Sequence, residues 1–165
     1  YIVDTSIDVS TIPTATHDIE QVKALLYAYG DGSNVPENFP PVYTLEDGGA
    51  FLEFHAKVMA GTECAAVWRM EEGDTFELGY IAYKDGKYLF VLDLTRVTDN
   101  DGKTGIYMLS EWGYLVKFED VSIYSVIYML VNDDTATYEQ IRDSMFAADH
   151  NKWIANQRLY SVRKE

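Results

Sequence analysis

The tetrapeptide Lys84-Asp85-Gly86-Lys87 constrains the fold of this chain more than any other stretch. Asp-Gly between two apolar runs marks a two-residue hairpin turn, because both central positions of that turn need a positive φ that few other residues accept. The flanking runs, 75–83 (TFELGYIAY) and 88–94 (YLFVLDL), are therefore read as adjacent antiparallel strands. The same pattern extends in both directions. Residues 63–70 (ECAAVWRM) lead into a turn at Glu71-Glu72-Gly73-Asp74. Beyond a second turn at Asp99-Asn100-Asp101-Gly102, residues 105–109, 113–118 and 122–131 are strands rich in Tyr, Val and Ile.

Helices flank this meander. Residues 17–29 carry Ile19, Val22, Leu25, Leu26 and Tyr29 at helical spacing, with Thr16 as N-cap and Gly30 as the stop. Residues 30–41 are a loop by composition. Residues 44–60 fit two templates. Every even position from Ala50 to Ala60 is apolar, as in a strand, yet Leu45, Leu52, Ala56 and Met59 lie near one helical face. Thr44 with Asp47 resembles a capping box and Gly61 suits the position after a helix, so the helix is preferred. A last helix is expected over 136–148, where Thr137 and Gln140 form a capping box and Tyr138, Ile141, Met145 and Ala148 share a face. The closing QRLYSVRK reads as an edge strand whose charges discourage pairing with other chains.

This order predicts one α+β domain over 17–165: a twisted antiparallel meander of about 6–7 strands packed on two or three helices. Nothing alternates strand and helix as a parallel sheet requires. Residues 1–16, rich in Ser, Thr and Asp, read as a linker or loosely attached N-terminal segment. At 165 residues the chain suits a single domain. No apolar run approaches the roughly 18 residues of a membrane-spanning helix.

The formal charge is −14, from 27 acidic and 13 basic side chains. Clustered Lys and Arg are what a phosphate backbone requires, and here they are sparse, so nucleic-acid binding is not expected. The acids fall largely at turns, among them Asp47, Asp74, Asp85, Asp133 and Asp134, which favours solubility over a continuous acidic docking stripe.

Catalytic constellations are wanting. The one cysteine, Cys64, permits no internal disulfide and has no basic neighbour to make a thiolate, so it reads as a small core residue. His17, His55 and His150 are widely separated, and Glu53 with His55 is too small a set for zinc. Aligning Gly102 on an EF-hand loop puts Val97 and Met108 at ligand positions, which excludes that motif. Neither a phosphate-binding glycine loop nor a nucleophile elbow occurs. No catalytic residue, metal ligand or cofactor is assigned. The 13 tyrosines are conspicuous, and Tyr is over-used where a surface must bind. In strand alternation some aromatics face away from the core. Tyr80, Trp112 and Tyr114, with Arg69 as a carboxylate anchor, are the candidate ligand-binding residues. Arg69 and Arg96 could each anchor a carboxylate ligand or close a structural ion pair, and the ion pair is the preferred reading.

Residues from about 44 to 140 resemble small extracytoplasmic, lipoprotein-type domains of Gram-positive bacteria. The resemblance rests on Phe51-Leu52-Glu53-Phe54, Glu72-Gly73-Asp74, Tyr83-Lys84-Asp85-Gly86-Lys87 and Asp93 to Arg96. It implies export, an α+β sheet and an N-terminal linker behind a removed signal, and it carries no catalytic residue. The chain opens on Tyr1 rather than Met, which fits a processed product; a trimmed chain would look the same. The expectation is a non-enzymatic extracytoplasmic module that binds a protein, a peptide or a sugar. Two alternatives stay open: a small acidic inhibitor or immunity protein docking a basic partner, and a hydrolase using a carboxylate pair.

Overall fold

The computed structural model describes residues 6–31, 35, 39–97, 106–120 and 125–163. Among these, three α-helices and eight strands in two sheets make an α+β architecture, as the residue pattern predicts. The chain divides into two compact units, Tyr1–Glu111 and Trp112–Glu165, each with a core of its own. The turn expected at Asp99–Gly102 lies outside the described residues. No described helix is long and apolar enough to cross a membrane.

The first unit is built on the Asp-Gly hairpin. Strands β3 (Thr75–Lys84) and β4 (Lys87–Asp93) pair antiparallel, with Lys84 opposite Lys87. Asp85 at φ 53° and Gly86 at φ 72° form the turn, both in the left-handed region it needs. Strand β2 (Cys64–Glu72) pairs antiparallel with β3, placing Trp68 opposite Gly79. The Trp68 ring lies over that glycine and fills the place of a side chain. Strand β5 (Tyr107–Trp112) closes the far edge.

Side-chain alternation gives this sheet two apolar faces. Ala65, Val67, Leu78, Tyr80, Ala82, Leu89 and Val91 meet Val22, Leu25 and Leu26 of helix α1 (Ile19–Asp31). Ile12, Ala15 and Phe39 are buried in the same core, with Ile7 and Val9 packed against it. The opposite face meets helix α2 (Gly49–Met59), which buries Phe51, Phe54 and Val58. Cys64 points that way, its Sγ donating to the Phe54 carbonyl at 3.7 Å. Phe51 stands 5.2 Å from the Tyr43 ring.

Four details differ from the sequence expectation. Strand β1 (Val42–Tyr43) runs parallel to β2, with α2 as the crossover, so the sheet is mixed. Two residues are too few to show a strand period. Asp18, not Thr16, caps α1: its Oδ1 accepts from the amides of Glu20 and Gln21, at 3.0 and 3.3 Å. Thr16 instead accepts from the Asp18 amide and donates to Gln21 Oε1. Gly30 does not end α1 but sits inside its last turn, because the Arg96 guanidinium occupies the space of a side chain there. Thr44 and Asp47 bond each other in a turn ahead of α2, whose N-cap is Gly48.

The second unit is a three-stranded antiparallel sheet of β6 (Tyr114–Asp120), β7 (Ser125–Val131) and β8 (Asn156–Arg163), in that order. As expected from QRLYSVRK, β8 is an edge. Helix α3 (Tyr138–Ser144) covers one face, where Ile141 joins Ile127, Met129 and Val131 in the core. The capping box is present in full: Thr137 Oγ1 accepts from the Gln140 amide and Gln140 Oε1 from the Thr137 amide. The helix is shorter than the expected 136–148. It stops at Ser144, whose hydroxyl donates to the Ile141 carbonyl at 2.7 Å and accepts from the Ile154 amide at 3.0 Å. Met145 therefore leaves the helical face and is 43% exposed.

Candidate functional site

The shortened helix opens a groove within the second unit. It has a volume of about 470 Å³ and is lined by Trp112, Met145, Trp153, Ile154, Ala155 and Asn156. Local hydrogen bonds hold its walls. Asp149 Oδ1 caps a single 3-10 turn, His150–Lys152, by accepting from the Asn151 amide. That turn delivers Trp153, whose Nε1 donates to the Ala147 carbonyl at 2.9 Å. The His150 ring lies 4.2 Å from the Trp153 ring. Asn156 Nδ2 donates to the Ile154 carbonyl, which fixes the floor. Trp112 ends β5, and the next amide, Gly113, donates to Asn132 Oδ1 at 3.0 Å.

Trp153 is 47% exposed, although its indole nitrogen is bonded. An indole held at one end, with the His150 ring against it and about half its surface still exposed, is a stacking platform that gives up little entropy on binding. None of the lining residues is acidic, so the groove has no carboxylate pair to run hydrolysis.

The four candidate residues fall in different places. Trp112 lines the groove and Tyr114, at the start of β6, is 45% exposed. Tyr80 is a core residue of the first unit, fully buried, accepting from the Thr16 amide and donating to the Thr16 carbonyl. Burial pushes its phenol far above the ordinary value, so it stays protonated and offers no face to a ligand.

Arg69 borders a second hollow of about 390 Å³ with Thr44, Leu45, Glu46, Met70 and Glu71. Its guanidinium lies 3.1 Å from Glu71 Oε1 and 4.1 Å from the centre of the Phe76 ring. As a carboxylate anchor it is thus already engaged, in an exposed pair that adds little stability. Arg96 closes the structural pair. It bonds Asp93 Oδ2 at 2.9 Å, and Asp93 is the one buried acid among the described residues.

Cys64 is a core residue, as read from the sequence. Burial raises its thiol to about 11, which leaves no thiolate at neutral pH. Glu53 and His55 sit on α2, and no group of three metal-ligating side chains occurs among the described residues.

Trp153, Met145, Ile154 and Asn156 went unrecognised in the sequence. Reading the helix through residue 148 assigned Met145 to its apolar face and hid the turn that presents Trp153. The usable signal was Asp149, an N-cap residue type set just before a tryptophan-bearing stretch. Compared with known proteins, the chain matches no family model, no curated protein and no solved structure.

Proposed function

We propose that the protein is a non-enzymatic extracytoplasmic binding module whose ligand seats in the aromatic groove of its second unit. One observation carries the reading: Trp112 and Trp153 border one apolar groove, with Trp153 locked by its bond to Ala147. A pre-set aromatic wall of this size suits an apolar peptide side chain or the flat face of a sugar. The apolar character of the lining favours the peptide. The resemblance of residues 44–140 to exported domains supports the extracytoplasmic setting.

The test is a fluorescence titration of a Trp68→Phe variant, so that the signal comes from the groove. Short aromatic peptides and disaccharides are the probes. Saturable quenching by one class, lost at least tenfold in affinity on Trp153→Ala, is the expected result. Equal binding by Trp153→Ala would exclude the groove.

A second reading has its own support. Residues 1–111 hold nineteen acidic and seven basic side chains, against eight and six in the remainder, so the charge that would dock a basic partner is concentrated in the first unit. Binding to one basic protein that vanishes at high salt would favour it over the groove.

A further inference from the structure

Among the described residues, the first sheet ends at β5 with no further strand in its order. Strand β5 is last in the order β1-β2-β3-β4-β5, and it carries exposed apolar residues on both faces: Met108 is 52% exposed and Leu109 46%. Ile106, just before it, is 51% exposed. Folded proteins blunt such edges with lysines, prolines or a covering segment, since a row of unpaired backbone groups invites another strand. Here β5 (YMLSEW) has neither Lys nor Pro, and its one charged residue is Glu111.

The backbone direction follows from one bond. The Ile106 carbonyl accepts from the Leu94 amide at 2.9 Å, so it faces the β4 side. Strand alternation turns Met108 and Ser110 the same way and directs the N–H and C=O of Leu109 and Glu111 outward.

We propose that the β5 edge receives an extended, lysine- or arginine-bearing polypeptide segment as an added strand. Main-chain bonds to Leu109 and Glu111 supply the pairing, and consecutive apolar residues of the segment cover Met108 on one face and Leu109 on the other. The charge of the partner follows from this unit's nineteen acidic against seven basic side chains, and from Glu111 on the strand itself. A second copy of this chain would bring −14 against −14, which opposes self-pairing. This inference does not rest on the groove of the second unit, although Trp112 ends the same strand, and its variants leave Trp112 and Trp153 intact.

The probe is a synthetic peptide with a Val-Ile-Val run flanked by lysines, compared with its glutamate-flanked form and with a form N-methylated along one edge. Amide hydrogen exchange of the whole chain is the readout. The lysine peptide is expected to slow exchange at Leu109 and Glu111 by about tenfold or more, and the effect should shrink near 1 M salt, where the screening length falls to about 3 Å. The other two peptides should give no such protection. Met108→Lys and Leu109→Lys, at half-exposed positions, should keep the circular dichroism of the parent and lose the protection. Three results would overturn the proposal: protection located elsewhere, equal protection by the glutamate peptide, or protection that grows with the protein's own concentration, which would mean self-pairing.

Discussion

Gly30, Arg96 and Asp93 form a coupled set. A glycine inside a helix costs about 1 kcal/mol against alanine, so Gly30→Ala would ordinarily stabilise. Here the new Cβ falls on the Arg96 guanidinium, which Asp93 holds. Displacing that guanidinium leaves a buried carboxylate with only the Thr95 amide and hydroxyl. An acceptor stripped of a charged partner in such a place costs roughly 1–3 kcal/mol. Gly30→Ala is thus expected to lower stability in urea unfolding, and to raise it in an Arg96→Ala background; the same sign in both would refute the coupling. The buried acids of side chains other than carboxyls give a second prediction. Burial raises Tyr88 and Tyr107 to about 12, with Tyr29, Tyr43 and Tyr80 pushed higher still. Unfolded tyrosine ionises near its ordinary 10.0 and Cys64 near 9.0, while in the folded chain both wait. The native state therefore holds more protons in that window, and stability, level at neutral pH, falls as pH rises from about 9 through 12. Tyrosinate absorbance should show a cooperative step that coincides with loss of circular dichroism. Gradual ionisation with the fold intact would contradict it.

Among the elements, α3 depends most on its ends. It has seven residues, too few for helix propensity to sustain alone, and its stability comes from the capping box and from Ile141 in the core. Thr137→Ala removes the acceptor for the Gln140 amide and should cost about 1 kcal/mol in chemical unfolding. Thr137→Ser should restore most of that loss, which separates the cap from a general surface effect. The same element shows what could be read in advance. The box was legible because its partners are three residues apart, and the Asp85-Gly86 hairpin because its turn chemistry is local. The end of α3 was not, because Ser144 stops the helix through a bond to Ile154, ten residues on. Gly30 misled for a related reason: it serves Arg96, a residue far along the chain, rather than the helix terminus. The groove inherited the first error. Trp112 was selected as an aromatic at a strand end, whereas Trp153 lies on a turn that no periodicity marks. Tyr80 was selected on residue type alone, and strand alternation does not say which aromatics face a helix.

At the scale of the whole chain, the two units differ in how much they can bury. The first packs helices on both faces of a five-stranded sheet, whereas the second, about half its length, has three strands and one short helix. Burial per residue rises with size, so the smaller unit has less apolar burial to set against its chain entropy. It is expected to open first in denaturant. The three tryptophans allow the two to be watched separately, since Trp68 belongs to the first and Trp112 and Trp153 to the second. Trp112→Phe with Trp153→Phe leaves Trp68 as reporter, and Trp68→Phe with Trp112→Phe leaves Trp153. Trp68→Phe is a mild change, because the Trp68 Nε1 is buried without a hydrogen-bond partner and its removal relieves a desolvated donor. The Trp153 signal should move at a lower urea midpoint than the Trp68 signal, with a smaller slope in keeping with the smaller surface exposed. Coincident midpoints, or a later transition at Trp153, would show that size and burial do not order the unfolding of these two units. An early opening would also bear on the groove, because a ligand seated against Trp153 must then raise that midpoint alone and leave the Trp68 transition where it was.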